Sequence, residues 1–221
     1  MSTNHILGWV RNSWTLFRQY PLKWIVLLLI FLFLNSLTLN LANPLFVAGI
    51  AFACQQQHET GKLKITFLFT GFCQATRQLI YLCLIYIAAL VIFYVAVELP
   101  IRFYVTHYSG STSLFWLLLL VWQLLCCASF LASTLVLLQH QTAAQATKRA
   151  LVTMINHAGS LLALNLALSV AIYLALTGMQ TLVHRTPFIW FMILIGGSCV
   201  ALILFFHALY YAHRDWVLDV Q

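Results

Sequence analysis

The chain has 221 residues, of which 63% are hydrophobic and only 7% are charged. Soluble domains average about 25% charged residues, so this composition excludes a soluble globular enzyme, a disordered chain and a disulfide-stapled secreted module. The net charge of +7 does not indicate nucleic-acid binding, because the basic residues are spread between long apolar runs rather than gathered on one face. The composition predicts an integral membrane protein.

Six apolar runs predict transmembrane helices, since about 20 helical residues cross the hydrocarbon layer. The first stretch, 22–54, is too long for one span. Asn40-Leu41-Ala42-Asn43-Pro44 interrupts it, and we expect Asn43 to cap a new helix whose first residue is Pro44. The predicted spans are about 22–40, 44–60, 79–99, 114–138, 160–177 and 188–211.

The placement of basic residues predicts the orientation, because Lys and Arg accumulate on the cytoplasmic side. Six spans with a cytoplasmic N-terminus leave nine of the eleven basic residues inside and two, Arg102 and Arg185, outside. A single span over 22–54 gives five inside and six outside. The sequence therefore predicts six spans with both termini in the cytoplasm. The N-terminal segment lacks the pattern of a cleaved signal peptide.

Residues 1–21 predict an amphipathic helix rather than a span. Trp9 and Trp14 lie on one predicted face, with Arg11 and Arg18 on the other. This pattern fits a helix lying in the membrane interface, and it fits equally a helix docked on the protein's own cytoplasmic surface.

Similar basic amphipathic segments precede span 3, over 68–77, and span 5, over 146–157. They suggest three repeated units, each an interfacial helix followed by two spans. Chance resemblance between amphipathic helices is the alternative explanation.

Small residues recur at every fourth position along span 5. Spacing of four places them in one ridge of the helix, and small residues let two helix backbones approach closely in lipid. Two uses are open, packing within the chain or an interface with a partner or a second copy. We call this set the small-residue ridge, and it consists of Gly159, Ala163, Ala167, Ala171 and Ala175.

Polar residues in or near the spans are few. His207 is expected to be a neutral histidine with one hydrogen bond to a neighbouring helix, and Asn165 is expected to bond between helices. Glu98 and Arg102, four residues apart at the outer end of span 3, predict a surface ion pair.

Catalytic motifs are missing from the sequence: there is no G-x-S-x-G, H-E-x-x-H or Walker loop. We therefore expect no enzymatic activity, no cofactor and no metal site. His213-Arg214-Asp215, near the C-terminus, is expected to be a solvated helix end.

The opening of the chain resembles a family of small bacterial inner-membrane proteins. Gly8-Trp9, Leu16-Phe17-Arg18, Pro44, Gly49 and Gly71-Phe72 carry most of the resemblance. The layout is also similar to the membrane domain joined to some glycerophosphodiester phosphodiesterases. The chain departs from the family in lacking a proline at Ser133 or Thr134 and another near Ala158. The resemblance implies a bacterial inner membrane and six spans, and it implies no reaction and no ligand.

Three functions are open from the sequence. The first is a non-enzymatic scaffold or accessory that packs its helices against another inner-membrane protein or a second copy, with membrane lipids around it. The second is an uncoupled carrier or flippase for a lipid or small apolar metabolite, which needs a cavity among the helices. The third is an enzyme acting on lipid headgroups through His157, His213 or Asp215.

Overall fold

The computed structural model describes the backbone of residues 3–98, 112–182 and 187–218, with side chains within 7–96, 121–170 and 197–216. All the regular secondary structure over these residues is helical, which confirms the predicted all-α fold. The chain divides into two compact units. The first consists of Met1–Phe33, Ala53–Phe67 and Thr153–Gln221, and the second of Leu34–Phe52 and Leu68–Val152.

Nine α-helices lie in the described residues, and a helix covers most of each predicted span. A 3₁₀ turn at Ile65–Phe69 precedes the fourth helix, and a π-helical turn at Tyr94–Glu98 extends the fifth. The helices are α1 (Thr3–Gln19), α2 (Pro21–Leu37), α3 (Asn43–Thr60), α4 (Thr70–Cys73), α5 (Thr76–Phe93), α6 (Thr112–Gln139), α7 (Ala143–Asn156), α8 (Ala158–Leu182) and α9 (Pro187–Leu218).

Length and composition identify one stretch, Thr76–Ala96, as able to cross a membrane by itself. Two bent pairs qualify if each pair counts as one span. They are Leu7–Gln19 with Pro21–Leu37, bent by 99°, and Ala143–Asn156 with Ala158–Val170, bent by 85°. The described residues thus hold one clear candidate span, or up to three, and the number six stays a prediction.

The interruption predicted between the first two spans is confirmed, since α2 ends at Leu37 and α3 begins at Asn43. Leu39 and Asn40 adopt left-handed backbone conformations, with φ of 51° and 63°. The Asn40 backbone N–H donates to the Asn35 carbonyl at 2.7 Å, and Asn35 Nδ2 donates to Asn40 Oδ1 at 2.7 Å. Asparagine tolerates the left-handed region well, so these contacts stabilise the end of α2.

The prediction that Asn43 caps α3 is wrong. The first backbone bonds of α3 run to the Ala42 carbonyl, at 3.0 Å from Leu45 N and 3.3 Å from Phe46 N. The Asn43 side chain instead accepts a bond from Asn35 Nδ2 at 3.3 Å and donates to Ser129 Oγ on α6 at 3.4 Å. The Ala42 carbonyl already accepts the first hydrogen bonds of α3. The buried side-chain amide of Asn43 instead forms its hydrogen bonds with Asn35 and Ser129, because an unpaired buried amide is costly.

The second unit contains two backbone contacts that only glycine permits. Gly49 on α3 lies against the backbone of Leu68, and Gly71 on α4 lies against the backbone of Leu45. A Cβ atom at either position would collide with the facing carbonyl oxygen. The role of both glycines in this unit is close packing.

The segment before span 3 differs from the predicted amphipathic helix. It forms a 3₁₀ turn and the single-turn helix α4, and then breaks at Ala75, whose φ is 51°. The predicted helix is therefore wrong at this place, whereas α1 and α7 form where amphipathic helices were expected. The close approach of Gly71 to α3 holds this segment against the protein.

Helix α1 docks on the first unit by a face rotated from the predicted one. Trp9, Leu16 and Phe17 are buried, whereas Trp14, which was expected on the same face as Trp9, is 44% exposed. Docking on the protein's own surface is thus confirmed for the buried face. The other face remains available to solvent or headgroups.

Gln57 joins three helices at the centre of the first unit. Its Oε1 accepts a bond from Trp24 Nε1 on α2 at 2.7 Å, and its Nε2 donates to the Leu16 carbonyl of α1 at 2.7 Å and to Gln19 Oε1 at 3.1 Å. The side chain is 1% exposed. Because a buried amide is costly to leave unpaired, these contacts hold α1 across the start of α2.

We expect Gln57→Leu to lower the free energy of unfolding by about 1–3 kcal/mol for each buried group left unpaired, since the indole N–H of Trp24 and the Leu16 carbonyl lose their partner. The measurement is the thermal unfolding midpoint of the purified protein in mild detergent. The control is Gln55→Leu, because Gln55 bonds the exposed Glu59 at 2.8 Å, and its effect should stay within about 0.5 kcal/mol. Equal midpoints for the two variants would contradict the role given to Gln57.

Gly49→Ala should destabilise the second unit by about 1–3 kcal/mol, the usual penalty of overpacking, because the new methyl group meets the Leu68 backbone. Gly8→Ala is the matched control. Nothing lies within 4 Å of a Cβ at Gly8, so alanine there should be neutral or stabilise helix α1 by about 0.5–1 kcal/mol. Denaturant titration followed by circular dichroism measures both, and an unchanged midpoint for Gly49→Ala refutes the close contact.

Candidate functional site

The small-residue ridge of α8 faces away from the protein over the part whose side chains are described. Gly159, Ala163 and Ala167 are all exposed, and a Cβ built at Gly159 meets nothing within 4 Å. Ala171 and Ala175 lie on the same helix, but their side chains fall outside the described ones. These three residues therefore do not pack within the chain, which was one of the two uses that the sequence left open.

The opposite face of α8 packs inside the first unit. Leu161 is 1% exposed and Leu164 is 6% exposed, and Asn165 is fully buried. Asn165 Nδ2 donates to the Leu161 carbonyl of its own helix at 2.8 Å. The sequence predicted bonding between helices for Asn165 and did not predict this bond within the helix. Helix α8 thus has a packed face and a separate outward face that carries the ridge.

The outward face of α8 also carries large apolar side chains beside the ridge. Leu162 is 44% exposed, Leu166 is 60% exposed and Val170 is 48% exposed. Together with the small residues they form a furrow bordered by leucine and valine. In lipid, such a furrow lets the backbone of a second helix approach closely.

His207 on α9 does not bond a neighbouring helix as expected. Its Nδ1 pairs with the Ile203 carbonyl of its own helix at 2.8 Å. The contact with a neighbouring helix is between rings, because the Trp24 ring meets the imidazole edge-on with centroids 4.3 Å apart. The residue is fully buried, and this arrangement gives it a packing role.

The predicted ion pair of Glu98 with Arg102 falls outside the described side chains. Glu98 ends the π-helical turn after α5, and Arg102 lies beyond the described residues. Over the side chains that are described, no three His, Cys, Asp or Glu residues gather closely enough to hold a metal ion.

The end of α9 is only partly solvated, so the expectation for His213-Arg214-Asp215 holds in part: the side chains of Arg214 and Asp215 are 41% and 34% exposed, whereas His213 is buried. His213 is 6% exposed, and Asp215 Oδ2 accepts a bond from Trp9 Nε1 on α1 at 2.6 Å. Arg214 donates to His58 Nε2 at 2.9 Å. Each of these partners lies more than 150 positions away in the chain, and no local sequence signal could have found them.

Trp216 extends this cluster into an aromatic stack. The Trp9 ring meets Trp216 edge-on with centroids 5.7 Å apart, and His157 stacks flat on Trp216 at 4.7 Å. The cluster therefore brings together His157 and Asp215, two of the residues considered for headgroup chemistry. Both groups are engaged with tryptophan, and the bond from Trp9 to Asp215 joins α1 to α9.

A second feature is an apolar cavity of about 260 Å³ in the second unit, lined by side chains of α5, α6 and α7. A shallower groove of about 470 Å³ lies along the turn between α2 and α3, lined by Leu39, Leu41 and residues of α5. The cavity is an apolar space among the helices, which a carrier requires.

No protein-family model, characterised protein or solved structure matches this chain.

Proposed function

We propose that the chain is a multi-pass membrane module without enzymatic activity, and that it acts as a scaffold or accessory by packing the outward face of α8 against another inner-membrane protein or a second copy. The observation that carries the proposal is that Gly159, Ala163 and Ala167 are exposed while the opposite side of α8 is buried.

Lipid alone places no demand for small residues on a helix surface. A face that meets only acyl chains gains nothing from being small, since leucine satisfies lipid equally well. Small residues at spacing four allow close backbone approach, which is the main source of helix association where the hydrophobic effect is absent. The outward ridge thus fits a helix partner better than it fits bulk lipid.

The membrane setting is part of the same proposal. Six crossings of a bacterial inner membrane with both termini in the cytoplasm agree with the distribution of basic residues and with the family resemblance. The 99° bend between α1 and α2 also fits this setting, since a helix perpendicular to a span lies along the membrane surface.

Replacing Ala163 and Ala167 together by leucine should weaken the association of α8 with its partner by about 1–3 kcal/mol, since the added side chains hold the two backbones apart. Native mass spectrometry of the protein in patches of its own membrane measures both oligomeric state and bound protein. Ala88→Leu on α5 is the control, because Ala88 is exposed on an apolar helix and lies outside the ridge.

The double variant and Ala88→Leu should both unfold at the wild-type temperature, because all three alanines are exposed. If the double variant leaves oligomeric state and every bound protein unchanged, the scaffold proposal fails.

An uncoupled carrier for a lipid or small apolar metabolite is the second candidate, and the apolar cavity in the second unit favours it. We expect a carrier to speed the exchange of a fluorescent phospholipid between leaflets of reconstituted vesicles, and Ala89→Leu, which narrows the cavity, to slow that exchange. Vesicles with and without protein that exchange lipid at the same rate would reject this candidate.

A further inference from the structure

We propose that the apolar cavity between α5, α6 and α7 holds one acyl chain of an anionic phospholipid, with the headgroup against Arg77 and Lys148. The inference goes beyond the scaffold function and does not depend on it, because none of the lining residues belongs to α8. It concerns binding alone, so it can hold whether or not the lipid is transported.

The cavity has a closed floor and an open rim. Tyr86, Ser129 and Ala150 form buried parts of its wall, with exposed fractions of 7%, 5% and 1%. Ile85 and Leu151 also line it but are 38% and 50% exposed, so they mark the side from which a ligand enters. An apolar cavity of about 150 Å³ is enough to bind benzene, and this one has about 260 Å³.

Small side chains create the space. Each of the three helices contributes alanine to the wall, with Ala89 on α5, Ala128 and Ala132 on α6, and Ala150 on α7. Larger residues at these positions would close the gap between the helices. Wall atoms that face an empty space lose dispersion contacts, so a hydrocarbon chain that fills the space restores them.

The hydroxyl groups of the wall are already engaged with the protein. The Tyr86 hydroxyl bonds Asn43, whose Nδ2 also donates to Ser129 Oγ at 3.4 Å. Thr147 Oγ1 donates to the Ala143 carbonyl at 2.8 Å. A sugar, nucleotide or ion would lose its hydration on entering without gaining equivalent partners, whereas an acyl chain loses none.

Two basic side chains lie on the helix faces that carry the residues at the rim of the cavity. Arg77, Tyr81 and Ile85 are spaced by four along α5, and the Arg77 guanidinium lies 5.9 Å from the centre of the Tyr81 ring. Lys148 precedes the rim residue Leu151 by three positions on α7, one helical turn away. Both cations are exposed.

Carboxylates are missing from the side chains described in the second unit, so nothing there neutralises Arg77 or Lys148. The local charge therefore favours an anionic headgroup. An arginine and a lysine beside an apolar cleft can pair with a phosphodiester while its acyl chain lies between the helices.

The test uses the full-length protein, stripped of lipid in detergent and titrated with phosphatidylglycerol or with phosphatidylcholine of the same chains. Native mass spectrometry reports bound lipid. We expect one phosphatidylglycerol to bind each chain more tightly than phosphatidylcholine. We expect Ala89→Leu to weaken this binding by about tenfold or more, because each methylene kept out of the cavity lowers affinity roughly fourfold.

Ala88→Leu is the matched control, since Ala88 neighbours Ala89 on the same helix but does not line the cavity. It should bind lipid as the wild type does. Arg77→Gln combined with Lys148→Gln should retain lipid and lose the preference for phosphatidylglycerol. Equal weakening by Ala88→Leu and Ala89→Leu, or tighter binding of oleate than of phosphatidylglycerol, would overturn the assignment.

A measurement on the unaltered protein covers the case in which Ala89→Leu fails to fold. A phosphatidylglycerol with a diazirine near the end of one acyl chain is crosslinked by light, and the adducts are mapped by peptide mass spectrometry. The proposal expects adducts within 82–89, 125–132 and 147–151. Adducts confined to other segments would refute it. A negative result in these lipid experiments does not contradict the scaffold function of α8, because that function is tested by oligomeric state and bound protein.

Discussion

The fold depends on satisfying a few buried amides inside a chain that is 63% hydrophobic. Gln57 does this in the first unit by bonding the Trp24 indole and the Leu16 carbonyl, which belong to two other helices. Asn43 does it in the second unit by joining Asn35 to Ser129. In the proposed membrane setting, leucine-rich faces are interchangeable because hydrophobic burial does not drive helix association in lipid. The amides therefore contribute to specifying which helices meet.

Small side chains explain three features of the packing in this protein. Gly49 and Gly71 remove a Cβ where two backbones touch inside the second unit. The small residues of α8 make the same kind of approach possible on the outside, and the alanines around the cavity leave space unfilled. The proposed partner interface in the first unit and the proposed lipid site in the second thus rest on one physical property, the small size of the side chains.

Much of the architecture was predictable because it depends on local composition. The length of the apolar runs and the Asn40–Pro44 interruption predicted α2 and α3. The pattern of Trp9 and Arg11 predicted that α1 is amphipathic. The errors concern residues whose partners are distant. Asn43 fits a helix cap by sequence, yet its partner Ser129 lies 86 positions away. Asp215 fits a solvated tail, yet Trp9, 206 positions earlier, binds it.

The sequence alone determined that the described residues are mainly helical, roughly where the long apolar helices lie, and that small residues recur at spacing four in α8, because these properties depend on neighbours in the chain. Only the tertiary structure decided that the ridge at Gly159, Ala163 and Ala167 faces outward and that alanines from three helices enclose a cavity. Periodicity defines a face without saying what lies against it. That depends on which buried polar groups find partners when the helices pack.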